Sequence, residues 1–435
     1  MANAREIAYE LLQRVATTDS YINLLLPSVL RGSNLSDPDR GMVQELSYGA
    51  LRWQAQYDAM IDLLSDNSPS VEVRNLLRLG LHQLFRMRVP SHAAVSETVD
   101  LAKKLQPRAA GYVNAVLRNA DRRGYEGLLE SCLSGLDSFD RLAILYSHPR
   151  WVVAELARAL ELDGRTGELE DLLAANNETP EVNLAALTEA DRSHLEELGL
   201  ENAGLLATAF KLVGNPEPLL TETIRVQDQG SQLVSRLLAK IADRDGRWVD
   251  MCSGPGGKAA ILQAEISDAS NLDCYEPAAH RAELVREALG EGTKANVVVS
   301  QGQAIPKQSY DGVLLDAPCS GLGSLRRKPE SRWRKTKKQL ADLRKIQREL
   351  LEAGVDGLRS GGILVYSTCS PVVSETNDQV AWLLEKRKDI ELVDISAELT
   401  ALSPGIELNQ NRKSVQLWTN VHASDAMFIA ALRKK

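Results

Sequence analysis

From about Ile224 onward, short apolar runs alternate with longer amphipathic segments, and this alternation constrains the fold more than any other feature of the sequence. Short apolar runs predict strands, whereas apolar residues recurring every three or four positions predict helices. Strands that alternate with helices predict a largely parallel sheet with helices on both faces. The predicted strands are Trp248–Met251, Asn271–Tyr275, Asn296–Val299, Gly312–Leu315 and Gly362–Tyr366, and the predicted helices are Lys258–Ser267, Ala279–Leu289, Lys337–Leu358 and Glu375–Lys386.

The two regions that precede this sheet have different patterns. Up to residue 147, helical spacing of apolar residues predicts an all-α bundle, as in Leu76, Leu77, Leu81 and Leu84. Between residues 148 and 223 the signals are mixed, with a helix near Val152–Leu173 followed by many breaks. We therefore predict a multidomain protein with a helical domain (1–147), a connector or small subdomain (148–223) and an α/β domain (224–435).

Composition excludes several classes of protein. No apolar run reaches the length of about 18 residues that a membrane-spanning helix needs. The N-terminal Met-Ala-Asn-Ala-Arg-Glu has no apolar region typical of a secretory signal. The five cysteines include no Cys-x-x-Cys pair, which predicts reduced thiols and no zinc site. We expect a cytoplasmic monomer that binds neither a membrane nor a metal.

A glycine-rich loop follows the first predicted strand and opens a helix. It consists of Cys252, Ser253, Gly254, Pro255, Gly256, Gly257 and Lys258. Glycines let a backbone approach a ligand closely. A phosphate-binding P-loop is excluded because Ala259 stands where Ser or Thr is required. The spacing fits a dinucleotide-type loop, with Glu276 placed to accept hydrogen bonds from ribose hydroxyls. Taken alone, this pattern allows either NAD or S-adenosylmethionine.

Two cysteines follow later predicted strands, Cys319 in Asp316-Ala317-Pro318-Cys319-Ser320-Gly321 and Cys369 in Ser367-Thr368-Cys369-Ser370. An isolated buried cysteine usually acts as a small hydrophobic residue. Paired thiols at strand ends are instead what cytosine methylation requires. Carbon 5 of cytosine is a poor nucleophile, and a thiolate that adds to carbon 6 makes it reactive toward a sulfonium methyl group. A carboxyl group near the base would stabilise the adduct.

The segments DMCSGPGGK, LLDAPCSGLGSLRRKPESRW and LVYSTCS resemble the characteristic motifs of RNA 5-methylcytosine methyltransferases. The domain order resembles the RsmB/Sun (Fmu) family of 16S rRNA enzymes over nearly the whole chain. This resemblance implies a Rossmann-like class I methyltransferase domain, S-adenosylmethionine as cofactor and small-subunit rRNA as partner. It implies that Cys369 is the nucleophile and that Cys319 assists product release. Asp316 would lie between cofactor and base, with Lys258 as a further active-site group.

The resemblance also implies a set of cofactor contacts. The loop Cys252–Lys258 would hold the methionine side of the cofactor and Glu276 its ribose. Gln303 stands where the family has Asp near the adenine amine, and its amide oxygen can accept a hydrogen bond there without a charge. Asp425-Ala426-Met427-Phe428 replaces the family's Asp-Gly-Phe-Phe, a departure that we expect to alter packing more than chemistry.

Fragments of the first region resemble the NusB-like family, a small helical RNA-binding module, over residues 4–120. The matching fragments are Arg5-x-x-Ala8, Asn23-Leu24, Leu76–Gly80, Ser96-Glu97 and Tyr112–Leu117. Direct RNA contact by this domain and simple packing against its neighbour both remain open. The candidate RNA-facing charges are Arg118, Arg122 and Arg123, although a solvated helix end explains them equally well.

The formal net charge of −8 argues at first against a nucleic-acid partner. Between Arg326 and Arg348, however, eleven Lys and Arg residues face only two acidic ones, a local charge of +9. We predict that this run contacts RNA phosphates, with a base stacked on Trp333; a core position for Trp333 remains open. The RNA-binding residues expected here are Arg326, Arg327, Lys328, Arg332 and Trp333.

Two other functions remain open at this point. The chain could be a non-catalytic RNA-binding assembly factor that retains a nucleotide-binding fold, or a nicotinamide-dependent enzyme with the same glycine loop. The two strand-end thiols disfavour both alternatives because neither function requires them.

Overall fold

The computed structural model describes residues 3–435, which form two compact units. The helical unit comprises the described part of Met1–Ala157 together with Leu173–Glu178 and Leu325–Arg334. The sheet unit comprises Arg158–Leu172, Thr179–Ser324 and Lys335–Lys435. The connector predicted at 148–223 is thus divided between the two units.

The helices are Ala4–Thr17 (α1), Ile22–Arg31 (α2), Asp37–Arg52 (α3), Gln54–Leu63 (α4), Val71–Arg86 (α5), Ser91–Leu105 (α6), Ala110–Arg123 (α7), Tyr125–Leu133 (α8), Ser138–Leu145 (α9), Arg150–Leu162 (α10), Leu169–Ala175 (α11), Glu189–Glu197 (α12), Gln229–Ile241 (α13), Gly257–Glu265 (α14), Ala279–Leu289 (α15), Ser331–Arg334 (α16), Lys337–Gly357 (α17), Asn377–Lys386 (α18), Ser396–Leu402 (α19) and Thr419–His422 (α20). The strands are Val182–Ala186 (β1), Ala209–Leu212 (β2), Ile224–Val226 (β3), Trp248–Asp250 (β4), Leu272–Tyr275 (β5), Asn296–Val298 (β6), Tyr310–Asp316 (β7), Leu358–Thr368 (β8), Ile390–Val393 (β9), Val415–Gln416 (β10) and Phe428–Lys434 (β11).

The helical unit confirms the predicted all-α N-terminal region. Helices α1 to α8 bury apolar residues in a single core, to which Leu11, Leu46 and Leu76 contribute. Local capping fixes where helices begin: the Asn3 side chain accepts a hydrogen bond from the Glu6 amide, and the Ser36 side chain accepts one from the Asp39 amide. These caps satisfy amides that the helix itself leaves without partners.

The sheet unit contains a large sheet of order β10-β11-β8-β7-β4-β5-β6, with β9 paired to β11. All neighbours from β6 to β8 are parallel, which confirms the predicted α/β architecture, and β4 to β8 correspond to the five predicted strands. Apolar side chains cover both faces: Leu314 and Val365 on one, Val313 and Leu364 on the other. Strands buried on both faces have continuous apolar runs, the signal by which they were predicted.

Antiparallel strands complete the sheet unit and were not predicted. β11 runs antiparallel to β8 and lies between β8 and β10 in the sheet. β1, β2 and β3 form a separate three-stranded antiparallel sheet in the connector region. Ala185 and Leu187 at the end of β1 pack against Ala260 and Ile261 of α14. The small sheet therefore supports the helix that follows the glycine-rich loop.

Across residues 3–435, no helix combines the length and the apolar character needed to cross a membrane. The same residues hold no group of three or more His, Cys, Asp and Glu side chains arranged to bind a metal ion.

Candidate active site

The strand register gathers the sequence motifs at one edge of the large sheet. In the parallel pair of β7 and β8, Asp316 lies opposite Ser367. In the pair of β4 and β5, Asp250 lies opposite Cys274, two residues before Glu276. Because β4 has β5 on one side and β7 on the other, the chain reverses its winding direction here. The carboxyl ends of strands at such a reversal form the usual ligand crevice of a doubly wound sheet.

Two glycines of the loop after β4 have no room for a side chain. Gly256 has a φ of +104° at the start of α14, and a Cβ there would collide with Ala288. A Cβ on Gly254 would collide with the carboxylate of Glu276. The loop therefore approaches both α15 and the end of β5 through its backbone, which leaves main-chain groups near any ligand in the crevice.

Glu276 is buried and held in place at the end of β5. Its Oε1 accepts a hydrogen bond from the Ala278 amide at 3.0 Å, and its Oε2 lies 3.3 Å from the Arg281 guanidinium. Arg281 also donates to the Gly254 carbonyl at 2.7 Å. The acid and the loop are thus tied together, and a carboxylate still has lone pairs to accept a ligand hydroxyl.

Asp250, at the end of β4, was not predicted as a site residue. It is fully buried, and its Oδ1 accepts a 3.3 Å hydrogen bond from the Cys252 amide. Its Oδ2 has no hydrogen-bond partner among residues 3–435. Burial, with a further contribution from nearby Asp316, raises the pKa of Asp250 to about 7. An unsatisfied buried acceptor under a glycine-rich loop fits a ligand that donates a hydrogen bond.

Cys252 lies in the same loop, and burial raises the pKa of its thiol above the ordinary range. This thiol is therefore protonated at neutral pH and is unsuited to nucleophilic attack.

Gln303 lies just after β6, in the short helical turn Gly302–Ala304. A Cβ on Gly302 would collide with the Met251 carbonyl, so this turn lies directly against the residue that follows β4. The Gln303 amide nitrogen is 3.5 Å from a carboxylate oxygen of Glu349 on α17. Glu349 thus adds a negative charge beside Gln303, which is itself uncharged where the resembling family has Asp.

Lys258 and Asp316 form an ion pair at the centre of the site. The Lys258 ammonium lies 2.7 Å from Asp316 Oδ2, and the Ser367 hydroxyl donates to Asp316 Oδ1 at 3.0 Å. Burial alone lowers the pKa of Lys258, but attraction to Asp316, Cys369 and Asp250 outweighs it, so the net pKa is raised. Lys258 is therefore charged and close to the Cys369 thiol. Ser367 holds the second oxygen of Asp316, a role that the sequence did not reveal.

The two predicted cysteines meet, although they lie at the ends of different strands. Their sulfur atoms are 3.4 Å apart, within hydrogen-bond distance for sulfur, and both side chains are half-buried. The hydrogen bond to Cys369 and then burial raise the pKa of Cys319 well above its ordinary value. The proton of Cys319 is therefore held more firmly than in a free thiol.

Backbone hydrogen bonds fix the loop that carries Cys369. The Gly323 amide donates to the Cys369 carbonyl at 2.9 Å, and the Gly323 carbonyl accepts from the Ala426 amide at 2.9 Å. A Cβ on Gly323 would collide with the Ala426 carbonyl. Ala426 and Met427, where the chain departs from the resembling family, and Phe428 are all buried in the sheet unit.

A buried glutamate, Glu375, lies behind the two cysteines and was not predicted. It accepts hydrogen bonds from Ser320 and Ser370, which directly follow Cys319 and Cys369. The repeated Cys-Ser pair at two strand ends is the sequence signal that could have indicated a shared partner. Nothing in the pattern near 375 identified which residue that partner is.

None of the five residues predicted to bind RNA is fully exposed. Arg326 and Arg332 are buried, and Arg327, Lys328 and Trp333 are half-buried. Arg332 is 0% exposed and donates to the Ser147 carbonyl at 2.9 Å and to the Asn177 side chain at 2.8 Å. This position is at odds with the predicted phosphate contact, because the guanidinium is directed at internal oxygens.

Other cations of the same basic run remain exposed in the sheet unit. Lys337, Lys338 and Lys345 lie on the solvent side of α17. In the helical unit, Arg118, Arg122 and Arg123 are exposed at the end of α7. Lysines that project from a surface helix can reach phosphates without disturbing any internal contact.

The sheet order, the glycine-rich loop and the strand-end acids define a Rossmann-like fold, and comparison with known families identifies its class. Residues 237–433 match the family described as 16S rRNA methyltransferase RsmB/F, and residues 2–122 match the NusB family.

Relatives match this chain along nearly its whole length. Ribosomal RNA small subunit methyltransferase B of Pseudomonas syringae pv. tomato is 33% identical, over 99% of this chain and 97% of its own. The protein of the same name from Escherichia fergusonii is 30% identical, over 100% of this chain and 99% of its own. The chain therefore belongs to the RsmB/F family of methyltransferases.

Solved structures share the fold. The crystal structure of PH0851 covers 98% of this chain and 97% of its own, with a TM-score of 0.77 at 20% identity. The structure of NSun6 from Pyrococcus horikoshii with SFG covers 67% of this chain and 99% of its own, with a TM-score of 0.55 at 17% identity.

Proposed function

We propose that this protein transfers a methyl group from S-adenosylmethionine to carbon 5 of a cytosine in small-subunit rRNA. The observation that carries the proposal is the pair of strand-end thiols, 3.4 Å apart, beside the ion pair of Lys258 and Asp316. A hydride-transferring enzyme or a binding module needs no such pair. Membership of the RsmB/F family supports the same conclusion.

The cofactor would be held at the carboxyl ends of β4, β5 and β6. The residues that fit it are the loop Cys252–Lys258, the strand-end acids Asp250 and Glu276, and Gln303. When bound, S-adenosylmethionine supplies an electrophilic methyl group on a sulfonium sulfur. Asp250 and Glu276 offer buried acceptors to its donor groups, and the glycines keep the loop free of side chains that would block the crevice.

Cys369 is the proposed nucleophile. Its thiolate adds to carbon 6 of the cytosine, and the electron pair of the ring double bond becomes available at carbon 5. Lys258 stabilises the ionised thiol before attack, since the ammonium lies near Cys369 and is kept charged by Asp316. After methylation, the proton on carbon 5 leaves, the double bond forms again, and the bond to Cys369 breaks. Cys319, in contact with Cys369, is the group proposed to assist this release.

Asp316 is proposed to bind the base. One of its oxygens is occupied by Lys258 and the other by Ser367, so its orientation is fixed before substrate arrives. A preoriented carboxylate can accept a hydrogen bond from the exocyclic amine of cytosine and stabilise charge that develops on the ring. The base must leave its stack to reach such a crevice, as in other enzymes that modify bases.

Exposed cations in each unit are the proposed phosphate contacts. In the sheet unit these are Lys337, Lys338 and Lys345 on α17, and in the helical unit Arg118, Arg122 and Arg123 on α7. Arg332 is not included, because it is buried and bonded to internal oxygens.

The test uses the single variants Cys369→Ala and Cys319→Ala with cofactor and unmodified small-subunit rRNA. Each mixture is resolved on a denaturing gel that retains protein covalently attached to RNA. We expect Cys319→Ala to trap a covalent complex and Cys369→Ala to be inactive and to trap nothing. Cys132→Ala, which removes a half-buried thiol in the helical unit, is the matched control and is expected to behave as the unaltered protein.

Three outcomes would contradict the proposal. Trapping by Cys369→Ala instead would exchange the roles of the thiols. Continued methylation by both variants would make the thiols structural. Tight rRNA binding by the unaltered protein without methyl transfer would favour a non-catalytic assembly factor.

A further inference from the structure

The two cysteine loops share one buried carboxylate. Ser320 directly follows Cys319, and its hydroxyl donates to Glu375 Oε2 at 2.5 Å. Ser370 directly follows Cys369, and its hydroxyl donates to the same oxygen at 2.7 Å. The Ser320 amide donates to the other oxygen at 2.8 Å. A single side chain thus binds the residue next to each thiol.

Glu375 is 0% exposed, and its carboxylate is surrounded by hydrogen-bond donors. A fourth donor, the Gln347 side chain, lies 3.3 Å from its Oε1 and also donates to the carbonyl of Pro318, just before Cys319. A carboxylate can only accept hydrogen bonds, and each of these partners donates one, so the oxygens of Glu375 and their partners are complementary. The backbone of Glu375 is fixed as well, since its carbonyl accepts from the Tyr366 hydroxyl at 2.6 Å.

Two serine hydroxyls do not need a carboxylate as their hydrogen-bond acceptor, and burying a carboxylate costs considerable free energy. Hydroxyls can bond each other or a neutral amide, and these two are already 3.0 Å apart. An ion in the interior is tolerated only while its donors remain in place. Glu375 therefore resists any movement of either loop, because movement would remove donors from a buried charge.

The negative charge of Glu375 also affects the pKa of the Cys319 thiol. Cys319 lies close enough to Glu375 for the negative carboxylate to favour the protonated thiol, after the larger effects of its hydrogen bond to Cys369 and of burial on its pKa. The hydrogen bonds of the Glu375 carboxylate are with Ser320, Ser370 and Gln347. Its influence on the reaction would be exerted through the two loops.

We propose that Glu375 is a positioning residue that fixes the separation of the two thiols. Its carboxylate joins the loop after β7 to the loop after β8, so that Cys319 and Cys369 stay within hydrogen-bond distance in the absence of substrate. The effect on methyl transfer rests on the proposed function, whereas the effect on thiol separation does not.

The test compares Glu375→Gln with Glu385→Gln, which makes the same change at an exposed position of α18. The first measurement is methyl transfer to unmodified rRNA. The second is the rate at which diamide, without RNA or cofactor, converts the two thiols into a disulfide detected by mass spectrometry. In that reaction two thiols give up two electrons and two protons to diamide, and one sulfur–sulfur bond forms.

We expect Glu375→Gln to lower kcat about 100-fold with KM for S-adenosylmethionine within about twofold, because displaced reacting groups lose rate more than binding. We expect disulfide formation to slow about tenfold for the same geometric reason. Glu385→Gln should match the unaltered protein in both measurements. Unchanged disulfide formation in a folded Glu375→Gln variant would overturn the proposal, whatever its activity.

A second variant covers the case in which Glu375→Gln does not fold. The double variant Ser320→Ala/Ser370→Ala keeps the carboxylate and removes its bonds to both loops through the hydroxyls. It is expected to change both rates in the same direction, and wild-type rates in both would overturn the proposal. If the unaltered protein transfers no methyl group while the variants still slow disulfide formation, the proposed function fails and the positioning role stands.

Discussion

Two cations, Arg332 in the helical unit and Lys258 in the sheet unit, are largely withdrawn from solvent but have different partners. In the helical unit, Arg332 donates to neutral oxygens, including the carbonyls of Ser147 and Asn176. In the sheet unit, Lys258 is paired with the carboxylate of Asp316. Both come from stretches that the sequence marked as functional, one as an RNA contact and the other as an active-site group.

The partners decide what each cation can do. Burial, with repulsion from Arg52, lowers the pKa of Arg332 to about 9, and its planar group satisfies several backbone acceptors at once. The acid beside Lys258 raises the pKa of that ammonium despite burial. Arg332 is therefore expected to contribute to folding stability, whereas Lys258 is the cation proposed to act in the reaction. Membership of a segment predicted to be functional did not distinguish the two cations.

The strongest test of this comparison is Lys258→Met. We expect kcat to fall about 1000-fold, because the ionised thiol and Asp316 lose the charge that holds them. We expect the melting temperature to change little, because Asp316 keeps its bond to Ser367 and is 27% exposed to water. Methyl transfer and thermal unfolding are measured together, with Lys240→Met on the exposed side of α13 as control. Retained activity would remove Lys258 from the chemistry.

Arg332→Met tests the other cation. We expect the free energy of unfolding to fall by about 3 kcal/mol, since three internal oxygens each lose a donor at about 1 kcal/mol. Chemical denaturation measures this loss, with the exposed Arg122→Met expected to change stability by less than about 0.5 kcal/mol. Equal or greater stability in Arg332→Met would mean that the cost of burying the charge exceeds the value of its hydrogen bonds.

Asp250 extends the comparison to a buried acid that receives no hydrogen bond from a cation within the described residues. Because its pKa of about 7 exceeds the unfolded value of about 4, the folded state retains a proton that the unfolded chain loses. Stability therefore falls as pH rises from about 4 to about 7 and then levels off. We expect Asp250→Asn to gain about 2 kcal/mol near pH 8 and less near pH 5.

Thermal melts across this pH range measure the effect of Asp250→Asn, with the exposed Asp245→Asn as control. A gain that is the same at both ends of the range would show that Asp250 is not protonated in the folded protein at neutral pH.

The smallest expected effect concerns the exposed half of the basic run. Lys337→Gln/Lys338→Gln should weaken rRNA binding modestly and reduce the slope of log Kd against log salt by about 1.5, since each lost phosphate contact contributes about 0.7 to 0.9. Binding titrations at several salt concentrations measure this slope. Lys240→Gln/Lys294→Gln serves as control, and Arg332→Met should leave the slope unchanged. A reduced salt slope in Arg332→Met would show that Arg332 contacts RNA phosphates, and the contrast drawn between Arg332 and Lys258 would then fail.

The sequence predicted the parts of this molecule that depend on local pattern. Strands buried on both faces appear as apolar runs, so β4 to β8 and the loops at their ends could be located. The meeting of Cys319 and Cys369 followed from the rule that parallel strands end at one edge. In each case the functional side chain lies in the loop directly after a predicted strand.

The remaining features depend on contacts between distant segments. Glu375 binds Ser320 across a large sequence separation, and Arg332 binds oxygens near residues 147 and 177. A single sequence does not indicate such pairings, because a charged residue has the same local pattern whether it faces water or a buried partner. β9, β10 and β11 were not predicted for a related reason. They follow irregular segments and pair antiparallel, so they fall outside the alternation of strands and helices on which the prediction rested.

The hydrogen bonds of Gly323 with Cys369 and Ala426 affect when the nascent chain can become active. The loop that carries Cys369 is bonded to Gly323, which is in turn bonded to Ala426 just before β11, the last strand to be synthesised among those described. During translation, β8 is synthesised well before its sheet neighbour β11, which leaves the ribosome later. The helical unit can gain most of its local contacts earlier, but the catalytic loop acquires its final support only late in synthesis. Methyl transfer is therefore a property of the nearly complete chain, and truncated products released early would not carry it.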